Sequence, residues 1–397
     1  MSTTAPIPEL RTEQKPPLYR DVRVLRWVGQ LIVLGAVIGF AAYLRNNVVT
    51  NLESIGLPTG FEFLNGKFGS GIVGIDGANE LTNGGAFILG WQNTVRVIIV
   101  GIPACTLLGI LIGIARLSEN LAVRAFGTIY VETFRNIPAL VWLFLAYFAV
   151  ALSVLPAIGD APTGAGFVVS NRGIGIPWLN PDASRWTFAL VLLLGFGVLA
   201  AVLRWRGSVN AKTGKPSNGL LYGSISYLLV IVAAHFIAGD ALLLDPAAIG
   251  EGGRNIVGGM TIQVPYLALT TALVLYTASH VAEVVRGAIL AIHTGQSEAA
   301  SAIALTTYQR YRFIILPQAF RIMIPPLANQ YLNFTKNSSL AVAISYVEIA
   351  GIFSRVANNA APAVQAVVIL MGLYLSFSLS ISLVANFFNR RLSLETR

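Results

Sequence analysis

Eight apolar stretches of about twenty residues, separated by mostly short polar segments, decide what this chain can fold into. They fall at approximately 24–44, 93–115, 137–157, 186–205, 220–243, 262–284, 324–346 and 364–388. A bilayer core of about 30 Å is crossed by about 20 helical residues at 1.5 Å each. In hydrocarbon an isolated span must satisfy its own backbone N–H and C=O groups, so every stretch is expected to be a helix. Composition agrees: 55% of the 397 residues are hydrophobic and 11% charged, against about 25% charged in soluble domains. The expected fold is all-α, a polytopic membrane protein of about eight transmembrane helices.

Lysine and arginine set the expected orientation, because they accumulate on the inner side of a membrane protein. One side collects Arg11, Lys15, Arg20, Arg23 and Arg26, then Arg116 and Arg124, then Arg204, Arg206, Lys212 and Lys215. It continues with Arg286, Arg310, Arg312 and Arg321 and ends with Arg390, Arg391 and Arg397. The other side holds Arg45, Lys67, Arg172, Arg185 and Arg254. Both termini are therefore expected in the cytoplasm. The polar tail 1–23 leads into a long apolar stretch without a small-residue cleavage site, which reads as a retained helix.

Several chemistries are disfavoured. The formal charge of +9 resides in loops between apolar runs, so membrane lipids rather than nucleic acid are the expected neighbours. Cys105 has no second cysteine to pair with, and His235, His280 and His293 are scattered, so neither a disulfide nor a metal site is expected. Gly69, Gly71 and Gly74 match GxGxxG, but no strand convincingly precedes them and no βαβ unit encloses them; they read as turn glycines. Gly66-Lys67 lacks the flanking residues of a P-loop, so any ATP that drives this protein must bind another chain. Without HExxH or GxSxG, no catalytic residue and no cofactor are expected. The outside segments, rich in Gly, Pro and Asn, are expected to be surface loops or small caps.

Between the sixth and seventh stretches lies Gly295-Gln296-Ser297-Glu298-Ala299-Ala300, continuing through Ala304 to Ile314, Leu316 and Pro317. It is too polar to span. Gly295 can break the preceding helix, Ser297 can cap a new one, and Glu298 suits the positive end of its dipole. A helix of two turns with small side chains is expected, through which a partner's groove could approach the backbone, and Pro317 can start the next helix. An amphipathic linker on the membrane surface is the alternative.

This GQxEAA segment with IxLP resembles the EAA loop of ABC importer permeases. In that family the loop forms the coupling helix that docks on the ATPase, which implies that role for residues 283–317, with Gly295, Gln296, Glu298, Ala299, Ala300, Ala304, Ile314, Leu316 and Pro317 as its motif positions. Ala304 stands where the family has glycine, which removes φ > 0 freedom there. The run from His280 to Gly287, Pro317-Gln318-Ala319, Lys336-Asn337-Ser338-Ser339-Leu340 and the run from Tyr130 to Pro138 resemble the polar amino acid branch. Asn337, where that branch has Asp, and the additional first span resemble the general L-amino acid permeases. The resemblance implies a bacterial cytoplasmic membrane and a type I permease core over 93–388, with an insertion at about 158–260. Residues 24–92 add the first helix and a long outside loop, and 389–397 form a tail. It also implies three partners: an ABC ATPase, a second permease subunit and a periplasmic or tethered amino-acid-binding protein.

Lys336 lies about 12 residues, or about 18 Å, into its span. A bare cation there costs several kcal/mol, so it is expected to face the bundle interior, either paired with Glu283 or Glu348 or lining a substrate route. For an amino acid, Lys336, Ser338 and Ser339 could receive the carboxylate, and Glu283 or Glu132 the ammonium, with Asn337 a further candidate on the path. Arg135 and His280 complete the candidates. A secondary transporter driven by an ion gradient is the competing function; it would require discontinuous helices in paired halves and carboxylates near the midplane.

Overall fold

The computed structural model describes residues 19, 21–72, 77–179, 185–213, 218–238, 244–360 and 363–392. Most of the expected tail 1–23, Gly74 of the glycine triplet, and residues 393–397 lie outside them. Thirteen α-helices follow in order among the described residues. They are α1 (Val22–Ser54), α2 (Asn83–Ala115), α3 (Leu121–Asn136), α4 (Ala139–Phe144), α5 (Leu152–Val154), α6 (Arg185–Thr213) and α7 (Gly219–Ala238). Then come α8 (Val264–Leu290), α9 (Thr294–Ala302), α10 (Thr307–Arg310), α11 (Leu316–Asn337), α12 (Ile349–Ala360) and α13 (Ala363–Leu392).

Each of the eight expected spans overlies a helix, and three depart from a straight crossing. Among the described residues, five helices are long and apolar enough to cross a membrane, or up to seven when two bent pairs are each taken as one span. The span expected at 137–157 is the short rod α4–α5, continuous through a π-helical turn at Leu145–Ala151 and bent by 102° from α3. Pro138 explains the break: it offers no N–H, and it holds Ile137 in the extended region (φ −107°, ψ 133°). The span expected at 324–346 is α11 tightening into a 3-10 turn, Ser338–Ile344, before a 50° bend into α12. The apolar part of α7 is short, Gly219–Ala234.

The bundle is organised around α2. Lipid tails are as apolar as leucine, so helices in a membrane associate by close fit, and small residues allow it. A Cβ on Gly109 would lie 2.5 Å from Cβ of Val281, and one on Gly113 would lie 2.8 Å from the Ala282 carbonyl oxygen, so α2 and α8 meet backbone to backbone. The Phe334 ring of α11 fills the space over Gly101, and Gly90 admits the start of α12 at Ile349. Val97, Leu143, Leu269, Leu273 and Phe334 form the buried centre.

α1 stands apart, with none of its apolar window buried. α6 and α7 pack on each other, Tyr227 lying against Gly195 with its ring tilted to that of Phe196, centroids 5.2 Å apart. Short strands, not loops alone, lie at the foot of this pair. β1 (Thr163–Gly164), β2 (Phe167–Ser170) and β3 (Gly173–Ile176) pair antiparallel, and β8 (Met260–Gln263) completes the sheet in the order β1-β2-β3-β8. The register Ile174↔Ile262 ties the segment before α6 to the segment that enters α8. Two further pairs, β4 (Trp178–Leu179) with β5 (Leu244–Asp245) and β6 (Ala248–Ile249) with β7 (Ile256–Val257), close the same region.

Candidate functional site

At the end of the bundle opposite the sheet, three residues after α8 ends, the chain turns into α9. Its cap is His293, whose Nδ1 accepts the Gly295 N–H at 3.0 Å. The helix therefore begins at Thr294, earlier than Ser297 would place it; Gly295 sits in the first turn and Glu298 is its fifth residue. An imidazole acceptor fills the role that serine usually takes at a cap, which is why the start was hidden. Gln296, Glu298 and Ala299 are exposed, while Ala300 is fully buried against the bundle. Ala304 holds a left-handed conformation, φ +55°, although alanine lacks glycine's tolerance of it.

The next helical run begins with a capping box, Thr306 and Gln309, rather than at Pro317. A π turn over Tyr311–Ile315 joins α10 to α11, leaving Ile314, Leu316 and Pro317 inside one helical rod. Gln318 donates to Gln296 Oε1 at 3.2 Å, tying α9 to α11. Ile303, Tyr308 and Phe313 expose large apolar side chains beside α9. A small-residue helix flanked by exposed apolar groups can seat in a complementary groove.

Behind α9 lies a charge cluster. Arg116, the C-cap of α2, donates to Glu283 of α8, and Arg286 donates to the other carboxylate oxygen at 2.8 Å. Glu283 is thus already occupied by two guanidinium groups, which does not favour its use as an ammonium acceptor. His280 sits a turn away with its ring edge against Tyr276. Glu132 accepts from Asn136 at 3.0 Å, and both Glu132 and Arg135 are exposed.

Lys336 is exposed on α11 and makes no ion pair among the described residues; neither Glu283 nor Glu348 reaches it. Pairing within the bundle interior was expected and is not found in the single chain. Ser338 and Ser339 donate to Thr335 and Lys336 carbonyls, both at 2.7 Å, and lie beside the Tyr374 hydroxyl, while Asn337 is half-buried. That hydroxyl donates to Glu348 at 2.7 Å. Glu348 is fully buried, and it also accepts the Ala350 and Gly351 N–H groups at 2.8 and 3.1 Å and faces Thr94 Oγ1 at 3.5 Å. Next to it, Asn93 donates to the Val347 carbonyl at 2.6 Å. This node pins α2, α12 and α13 at the bend after α11. Sequence reasoning missed Arg116, Asn93, Thr94 and Tyr374 as participants; polar residues inside apolar runs were the available signal for the last three.

The chain is 38% identical over 383 residues to the protein YhdX of Escherichia coli strain K12, with 96% of this chain and 97% of that one covered. It is 35% identical over 392 residues to the general L-amino acid transport system permease protein AapQ of Rhizobium johnstonii, with 98% and 96% of the two chains covered. The chain belongs to the amino-acid ABC transporter permeases. A third relative is the glutamate/glutamine/aspartate/asparagine transport system permease protein BztB of Rhodobacter capsulatus, 33% identical over 420 residues and covered to 96% on both sides. No protein-family model matches the chain. A crystal structure of an amino acid ABC transporter with histidines matches 77% of this chain and 94% of that one at 18% identity and a TM-score of 0.46, too low to add to the assignment.

As an ABC importer permease the chain is a multi-pass membrane subunit and not an enzyme; ATP is hydrolysed by a separate subunit, and a binding protein delivers the solute. Nothing in these likenesses favours an ion-gradient transporter.

Proposed function

We propose that this permease imports a broad range of L-amino acids across a bacterial cytoplasmic membrane, with α9 seated on the cytoplasmic ATPase. The observation that carries the docking role is α9 itself: a helix of small residues with Glu298 exposed, anchored on one side by Ala300 and on the other by Gln296–Gln318. The names of two relatives, a general L-amino acid permease and a permease for glutamate, glutamine, aspartate and asparagine, support the substrate class. The accumulation of arginine around α9 and at both chain ends supports cytoplasmic termini.

In this reading residues 93–388 form the transporting bundle and 158–260 an insertion capped outside by the small sheet, while 24–92 and the tails 1–23 and 389–397 are appended to it. The partner permease is a different chain. Lys336, exposed at depth with Asn337 beside it, meets substrate or a partner group only where two subunits join. Exchanging Glu298→Arg places a bulky cation on the docking face, so the ATPase is expected to be lost when the complex is purified. Retention of the ATPase at the parent ratio would remove α9 from the docking interface. Lys336→Ala is expected to depress uptake while the complex stays assembled; unchanged uptake kinetics would take Lys336 off the route.

A further inference from the structure

We propose that Arg116 is the positioning residue through which movement of α9 reaches α2, by way of a three-charge clasp with Glu283 and Arg286. The inference rests on the coupling role of α9 and adds the path taken beyond it. Only residues 291–293 separate α8 from α9, and His293 caps α9 with its own side chain, so a displacement of α9 is delivered to the end of α8. From there the seam with α2 is apolar and glycine-lined at Gly109 and Gly113. Such a fit is close but non-directional, and packed helices can slide past one another.

Charge supplies the direction that the seam lacks. Glu283 takes Arg286 from its own helix and Arg116 from α2, so the two helices are joined at the ends nearest α9. Arg116 is mostly buried, its side chain 11% exposed against 30% for Glu283, so water screens this pair less than a surface one. Its stem passes α3 at Gly127, where a Cβ would stand 2.9 Å from Arg116 Cγ. Glycine at that position leaves the space through which the arginine arm reaches α8. Opening the clasp would strand two like cations near each other without their shared anion, which favours one rigid unit of α2 and α8 throughout the transport cycle.

The test uses the whole reconstituted complex, with its ATPase, second permease and binding protein, in proteoliposomes. In Arg116→Gln, amino acid imported per ATP hydrolysed is expected to fall by about tenfold, within the range of ordinary coupling energies, while ATPase activity stimulated by loaded binding protein persists. Arg116→Lys should recover most of the ratio. A role in stability alone would instead lower uptake and hydrolysis together, and an unchanged ratio in Arg116→Gln would also overturn the proposal. Spin labels at Glu119→Cys and Leu290→Cys, both exposed positions, give a second reading in the chain that retains Arg116. Their separation is expected to stay constant between nucleotide-free and ATP-bound states. A change there overturns the clasp even if Arg116→Gln fails to assemble. Absence of ATP-dependent uptake in the parent complex would count against the transport function, and the label distances would still judge the clasp.

Discussion

Ala304 carries a conformational cost that a single substitution removes. Its left-handed backbone, φ +55°, is one that an L-residue with a Cβ adopts at about 1–2 kcal/mol, and its side chain is exposed. Ala304→Gly is expected to raise the thermal midpoint of the purified complex, by about 1 kcal/mol of stability, without altering uptake; a lower midpoint would show that the strain is absent. Glu348 presents the opposite case, a buried carboxyl group with four donors around it and, among the described residues, no cation in contact. Tyr374→Phe removes one bond to this buried carboxyl group and should cost about 1–3 kcal/mol, read as a drop in the same midpoint. At this scale sequence disclosed the local and hid the distant. The Ala304 position could be marked because its neighbours define a motif, whereas nothing in Glu348 points to Thr94 or Tyr374 on other helices. Glu283 was visible as an intramembrane acid, but its two arginines were not, because Arg116 read only as a loop charge.

Among the described residues, the seam between α2 and α8 is the most extensive contact between elements. Gly109→Leu would force side-chain atoms into Val281 and the Ala278 carbonyl, and the fully buried Val281 has no room to yield. A destabilisation of about 1–3 kcal/mol is expected, measured as loss of monodisperse complex on heating in detergent; a wild-type profile would mean the helices are not held so closely. Helices were legible because hydrophobic runs of membrane length have few alternatives, and each expected span has its helix. Their bends were less so: Pro138 lay in the expected span but its 102° turn depends on how α3 packs on α8, with Tyr130 donating to the Leu275 carbonyl at 2.8 Å. The strands escaped because each is at most four residues long and β3 meets β8 across the whole α6–α7 pair. Short alternations such as Gly173-Ile174-Gly175-Ile176 carry no signal that separates a strand from a loop.

At the scale of the whole molecule, one end bears α9, the arginine clasp and the exposed apolar residues Ile303, Tyr308 and Phe313, and the other bears the small sheet and the Glu348 pin. Between them α2 contacts α8, α11 and α12 through four glycines, so a push at one end has a continuous, closely packed route to the other. α1 and the α6–α7 pair lie outside this route: the apolar window of α1 is uncovered, and α6 and α7 pack mainly on each other. The small residues on the central helix are what let its neighbours close in. Docking on the ATPase requires that α9 face the cytosol. Glu298→Cys, challenged with a membrane-impermeant maleimide, reports that placement. Modification is expected in inside-out vesicles stripped of ATPase and protected when the ATPase is restored; labelling from the outside of intact cells, or none from either face, would contradict it.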